Sequence, residues 1–306
     1  MRYAKFTPFD KGKAMKFVTY LDRNNEELPG VVSATGDTVH SLKSLGHDCA
    51  DLVDFIAGYD GTKAADIQAK IARAGGEPLS AVRLQAPIPH PRHDILCVGQ
   101  NYVAHAIESA KYAGREWVRP DYPIIFTKRV DRAVGPDGEI PSHSDITAQL
   151  DYEVELALII GRRCSKARPE DAFSHIFGYS VANDISARDI QHRHNQWILG
   201  KGMDGAAPFG PWIVTADEFA APPHLAIRCR VNGELRQDSN TNDFIFDIPR
   251  LLSEISAGMT LEPGDILITG TPAGVGMGFQ PPKFLRSGDV VECEIEKIGV
   301  LRNTIR

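Results

Sequence analysis

The stretch Tyr152-Glu153-Val154-Glu155-Leu156-Ala157-Leu158-Ile159-Ile160-Gly161 decides how the rest of this chain is read. A run so rich in Val, Leu and Ile, closed by a glycine, predicts a mostly buried strand. Strand side chains alternate between faces, so Glu153 and Glu155 share one face, roughly 6.6 Å apart along the strand. Two carboxylates there lose hydration and repel each other, which is costly. A bound cation relieves that cost, and an edge strand with a charged outer face avoids it. The doublet alone leaves both readings open.

Working outward, a third carboxylate follows a second apolar segment, in Val181-Ala182-Asn183-Asp184-Ile185-Ser186. Asp184 sits where that strand stops, a position that site residues share with ordinary turn and N-cap aspartates. Three carboxylates with no Cys/His ligand pair nearby suit a hard cation, Mg²⁺ or Mn²⁺, with water or substrate oxygens completing an octahedron. Lys201, between Gly200 and Gly202, can approach a ligand closely and present positive charge to an enolate or carboxylate. A strand near 266–269 runs into Gly270-Thr271-Pro272-Ala273-Gly274-Val275-Gly276, whose backbone N–H groups and Thr271 hydroxyl can hold an anion. This loop is not a P-loop, because the Gly-Lys-Ser/Thr ending is missing. His105 and Glu108 stand three apart on a predicted helix over 102–112, hence on one face. A carboxylate beside an imidazole fixes its tautomer and makes a water-activating base. Singly, each of these has a plain alternative: a solvated loop lysine, a turn, a surface helical pair.

The remaining pattern is strand-rich. Short strands are predicted at 16–21, 30–33 and 38–42, the last two flanking the hairpin signal Gly36-Asp37. Helical spacing covers 51–58 and 62–74, and a proline-punctuated stretch, 86–91, reads as a linker into a larger domain. Further strands are predicted near 94–98, 124–127, 177–181, 212–215, 226–231 and 290–295, with a second large helix at 248–257. Strands and helices do not alternate, so the fold class is α+β rather than a doubly wound sheet.

Composition narrows the function classes. The 306 residues carry a net charge of −6 and a pI near 5.9, which argues against a nucleic-acid or anionic-membrane surface. No apolar run approaches the roughly 20 residues that span a bilayer. The opening residues lack the apolar core of a signal peptide. Five scattered cysteines with no Cys-x-x-Cys pair read as reduced, buried thiols of a cytoplasmic protein.

Taken together, five ordered motifs resemble the fumarylacetoacetate hydrolase superfamily over about residues 94–305. They are Cys97-Val98-Gly99-Gln100-Asn101-Tyr102 with His105 and Glu108; Asp151-Tyr152-Glu153-Val154-Glu155-Leu156; the segment from Val181 to Asp189; Gly200-Lys201; and Gly270 to Gly276. The resemblance implies a strand-rich mixed β-sheet rolled on itself over residues 86–306, preceded by a small α+β domain, 1–85. It implies Mg²⁺ or Mn²⁺ held by Glu153, Glu155 and Asp184, and a His105–Glu108 dyad on a lid that orders over substrate. It also implies Tyr102, Arg188, Gln191, Lys201 and Thr271 around a small anionic 2-oxo acid, in a homodimer. The activity implied is hydrolysis of a carbon–carbon bond in a 2,4-dioxo acid of the acylpyruvate or fumarylpyruvate type, as in aromatic catabolism. Decarboxylation of an oxaloacetate-like acid, or isomerisation of a 2-hydroxyhepta-2,4-diene-1,7-dioate-type diacid, uses the same apparatus. A non-catalytic small-acid binder is the rival from another class. Asp151 is expected to partner the metal ligands, Arg129 and Met203-Asp204-Gly205-Ala206 to border the substrate pocket, and His192 and His194 to be solvated.

Overall fold

A computed structural model describes residues 14–306; the opening segment read for a signal peptide lies outside them. The strands are β1 (Lys16–Leu21), β2 (Glu27–Val32), β3 (Thr38–Ser41), β4 (Ile95–Gly99), β5 (Ile124–Lys128), β6 (Val154–Ile160), β7 (Ile176–Asn183), β8 (Phe209–Thr215), β9 (Ala226–Val231), β10 (Glu234–Asn240), β11 (Ile266–Ile268), β12 (Val290–Ile295) and β13 (Gly299–Ile305). The helices are α1 (Leu52–Ala57), α2 (Gly61–Ile71), α3 (Val103–Tyr112), α4 (Arg188–Arg193), α5 (Ile198–Lys201) and α6 (Ile248–Ser256). Very short strands are left without labels.

The larger sheet runs β3-β2-β1-β8-β7-β6-β11-β4-β5. Its labelled pairs are antiparallel except β11 with β4, where Leu267 faces Leu96, so the sheet is mixed. The smaller sheet runs β10-β9-β12-β13 and ends on Glu139–Ile140, which lies parallel to β13. Leu156, Leu158, Ile160 and Val181 of the large sheet meet Ile227, Cys229, Val291 and Leu301 of the small one in a single core. The opposite face of β6, Ala157 and Ile159, packs with Phe17, Ile213 and the α1 residues Phe55 and Ile56. Strand β6 is therefore interior, flanked by β7 and β11 and buried throughout. This removes the edge-strand explanation for the glutamate doublet.

Local chemistry sets the element ends. Asp51 caps α1 by accepting from the Asp54 N–H, and Asp247 caps α6 by accepting from the Arg250 N–H. The β9–β10 hairpin turns at Asn232 and Gly233, both at positive φ, the conformation a two-residue turn requires.

The proline stretch 86–91 differs from its reading as a linker. Ala86, Pro87, Ile88 and Pro89 are buried, Pro87 O accepts from Thr19 Oγ1 at 2.7 Å, and Pro89 O accepts from the Ala133 N–H at 2.8 Å. Proline has no N–H to satisfy, so such a segment crosses a core at little cost in unpaired donors. Pairing of Phe17 with Ile213 makes β1 to β3 an extension of the same large sheet. Strand β13 was not anticipated from the pattern, because its inward row places Asn303 between Leu301 and Ile305; the buried amide is satisfied by the Gly135 and Gly138 carbonyls.

Candidate metal centre and lid

The three carboxylates expected to act together do converge. One oxygen from each of Glu153, Glu155 and Asp184 lies within 4.8 Å of the others, and all three residues are buried. Glu153 immediately precedes β6, Glu155 lies near its start, and Asp184 immediately follows β7, the antiparallel neighbour that pairs Val154 with Asn183. The Asp184 N–H donates to Glu153 O at 2.8 Å, and Asn183 Oδ1 accepts from the Glu153 N–H at 2.9 Å, pinning the two strand ends together.

Cations surround the cluster. Lys201 Nζ bridges Glu153 Oε2 and Asp184 Oδ2, 2.7 Å from each. Arg188 Nη2 lies 2.6 Å from Glu153 Oε1, and its Nε donates to Asp151 Oδ2 at 2.9 Å. Lys128, which the sequence reading passed over as a ligand-shell residue, is also buried here; its Nζ donates to Asp184 Oδ1 at 2.6 Å and to Ile185 O at 2.9 Å. The hint was available: a lysine ending an apolar strand is seldom buried without a partner.

The charges do not cancel. Among the described residues, the ion pairs of Asp151, Glu153 and Asp184, with Glu155 beside them, are made to Lys128, Lys201 and Arg188. Burial raises the Glu153 carboxyl, but Arg188, Lys201 and His105 outweigh it and hold the group well below the ordinary carboxylate range. Glu155 goes the other way. Burial, reinforced by Asp184 and Glu153, pushes its carboxyl well above the ordinary range, and Lys201 and the Gly270 N–H, 2.7 Å from Oε2, only partly oppose this. Glu155 therefore keeps a proton more readily than Glu153 and offers a hard oxygen donor beside two others once that proton is displaced. That donor set fits Mg²⁺ or Mn²⁺.

Helix α3 sits docked over the cluster, with His105, Ala106, Ser109 and Ala110 buried. His105 Nδ1 lies 3.3 Å from Glu108 Oε2. Glu108 accepts in turn from the Gly274 N–H, at 3.1 and 3.3 Å to its two oxygens. The glycine-rich loop, expected to hold a substrate carboxylate, here donates from Gly274 to the α3 carboxylate of Glu108. A Cβ at Gly278 would overlap that carboxylate, which explains the glycine.

One cavity collects His105, Glu153, Glu155, Asp184, Arg188, Gln191, Lys201 and Thr271, with Gln100, Arg115 and Met277 on its wall. Several expected contacts need correction. Tyr102 does not line the cavity; it is buried beneath it, edge-on to Phe244 with centroids 5.1 Å apart. The Thr271 hydroxyl is already used, donating to Val154 O at 2.9 Å and accepting from Gln237 Nε2 at 2.8 Å. Arg188 is engaged by Asp151, Glu153 and the Gln191 Oε1, 3.1 Å from Nη1, while still lining the cavity. Lys201 has committed two of its three N–H donors to carboxylates. His192 is exposed, as expected, yet it edges the same cavity, and burial of its ring lowers its basicity. Arg129, Met203, Asp204, Gly205 and Ala206 border a different cavity, beside Gln85 and Arg132.

Comparison with known proteins places these features in context. The model of the fumarylacetoacetate (FAA) hydrolase C-terminal family matches residues 94–306. The chain is 49% identical over 227 residues to the oxaloacetate tautomerase YisK of Bacillus subtilis, covering 74% of each protein. It is 41% identical over 258 residues to the human mitochondrial oxaloacetate tautomerase FAHD2A, covering 83% of this chain and 79% of that one. A solved fumarylacetoacetate hydrolase from Exiguobacterium antarcticum superposes with a TM-score of 0.79 at 38% identity, covering 95% of this chain and 99% of that one. The 2-hydroxyhepta-2,4-diene-1,7-dioate isomerase of Mycobacterium marinum does so at 0.69 and 31%, covering 95% and 98%.

Proposed function

This chain belongs to the fumarylacetoacetate hydrolase family, and from that premise we propose that it interconverts the enol and keto forms of a small 2-oxo diacid resembling oxaloacetate. The observation that carries this reading is the placement of His105 in one cavity with Glu153, Glu155, Asp184 and Lys201. Its Nδ1 is engaged by Glu108, so Nε2 is the nitrogen left to exchange a proton with a ligand.

In the keto-to-enol direction, His105 takes the proton from the carbon next to the 2-oxo group. The released electron pair moves onto the 2-oxo oxygen, which then takes the proton back from the His105 imidazolium; the reverse direction returns it to carbon by the same path. Glu108 keeps the imidazole in the required tautomer and supports its transient positive charge. Lys201 keeps a positive charge close to the oxygen on which negative charge develops, while Gln191 contributes a polar amide to the wall. A divalent cation held by Glu153, Glu155 and Asp184 supplies Lewis acidity toward carboxylate and oxo oxygens when bound. The docked lid limits water access.

The carbon–carbon hydrolysis implied by the resemblance gives way to this reading. Tautomerisation needs the enolate and a proton carrier but no water nucleophile, and three of the four similar proteins above carry tautomerase or isomerase names, the fourth that of a hydrolase. We retain a homodimer within the proposal, supported by exposed apolar side chains at Ile107, Val118, Tyr122 and Leu199; light scattering tests it. The functional test follows the loss of oxaloacetate enol absorbance with added Mg²⁺ or Mn²⁺, alongside a panel of acylpyruvates. Faster tautomerisation than the protein-free control is expected. Acylpyruvate hydrolysis without tautomerase activity would overturn the proposal.

A further inference from the structure

Asp151 lies outside the cavity wall, yet it is fully buried and its carboxylate collects four donors. Oδ1 accepts from the Tyr152 N–H at 2.9 Å and the Gly276 N–H at 2.6 Å. Oδ2 accepts from Arg188 Nε at 2.9 Å and the Met277 N–H at 3.1 Å. Two structures meet on this one group. On one side, Arg188 continues to the Glu153 carboxylate at 2.6 Å. On the other, Gly276 and Met277 belong to the loop whose Gly274 N–H holds Glu108. The next residue reinforces the second link, since the Tyr152 hydroxyl donates to Gly274 O at 2.9 Å. The fit is close: a Cβ at Gly276 would stand 2.7 Å from Asp151 Oδ1 and 2.5 Å from Lys283 O.

We propose that Asp151 is a positioning residue that couples the carboxylate cluster to the lid. An ion drawing on Glu153 acts on Arg188, Arg188 on Asp151, and Asp151 on the two amides that set where Gly274 meets Glu108. Cation occupancy thereby changes how firmly α3 docks, and His105 comes to its working position when the cluster is loaded. The inference deepens the proposed function and rests on it only for the part played by His105; the coupling itself involves no substrate.

Its test is accordingly free of turnover. Backbone amide exchange of residues 103–113 is followed in the whole protein with and without Mn²⁺ alone, and Mn²⁺ affinity is measured by titration. In the unmodified protein Mn²⁺ should slow exchange in α3 by about tenfold, as closure of a local opening does. Asp151→Asn keeps the size of the side chain but replaces one acceptor oxygen by a donor, so one donor pair faces an NH₂ group. It should still bind Mn²⁺ while α3 exchange stops responding. Its turnover, if the proposed activity holds, should drop about 10–100-fold, the usual effect of losing an outer partner of a metal site. Should Asp151→Asn fail to fold, Gly276→Ala displaces the loop from the opposite side with Arg188 left in place, and the same loss of response is expected. An α3 unresponsive to Mn²⁺ in the unmodified protein, or equally responsive in the folded variants, overturns the coupling whatever the reaction proves to be.

Discussion

Lys128→Met is the sharpest probe of the charge balance in this site. Lys128 is buried, with its side chain only 1% exposed, and its Nζ supplies donors to Asp184 Oδ1 at 2.6 Å and Ile185 O at 2.9 Å. Methionine preserves length and apolar contacts but removes both donors and the charge. The shell thereby loses one of the three cations that face its carboxylates. Breaking a buried ion pair from one side costs about 3–5 kcal/mol, because the remaining carboxylate stays desolvated. A divalent ion opposes this directly: at a hundred times its Kd it stabilises an ordinary site by about 2.7 kcal/mol, and the more negative site binds it more tightly. Urea denaturation of both proteins, in chelator and in saturating Mn²⁺, gives four stabilities. The expected result is a large deficit for Lys128→Met in chelator and a clearly smaller one in Mn²⁺. A deficit below about 1 kcal/mol in chelator, the range of exposed pairs, or an equal deficit in both media, would refute the reasoning.

Other outcomes follow from the same geometry. Because the Glu155 carboxyl is raised by burial and by Asp184 and Glu153, the folded cation-free protein holds that proton more tightly than the unfolded chain; its stability should fall as pH rises from the usual carboxylate range toward the raised value. Mn²⁺ competes with that proton, so its binding in weak buffer should release protons, more of them as the pH is lowered; uptake without release at any pH contradicts it. His105→Ala should slow tautomerisation by about 10²–10⁴-fold with Mn²⁺ affinity nearly unchanged, and a variant with full activity would remove the proton-carrier role. Oxalate, with two adjacent carboxylates like the enolate of a 2-oxo acid, should inhibit competitively in the presence of Mg²⁺ and far better than acetate; equal inhibition by the two would count against the 2-oxo acid reading.

What the sequence determined by itself is tied to short-range periodicity and to residue types with few alternatives. The Val154–Ile160 run, the Gly36-Asp37 turn and the helices near 51–58 and 248–257 were legible because strand alternation, turn φ and helical spacing are decided within a few residues. The carboxylate cluster was partly legible for the same reason, the edge-strand alternative staying open until β6 proved interior. Two glutamates one apart must share a face, and like charges on a buried face demand compensation.

Only the tertiary structure decided which donors remain free. From sequence, Arg188, Lys201 and Thr271 look like substrate contacts; folded, Asp151, Glu153, Asp184, Val154 and Gln237 consume most of their hydrogen-bonding capacity. Lys128, at the end of β5, could not be placed beside Asp184, 56 positions away, without the fold that brings them together. Nor could the glycine loop be assigned to Glu108 rather than to a ligand, since that bond joins residues 166 apart. Hydrogen-bond satisfaction in a buried site is a property of the whole assembled set: each donor's role depends on which acceptor reaches it first, and that is settled by packing, not by local pattern.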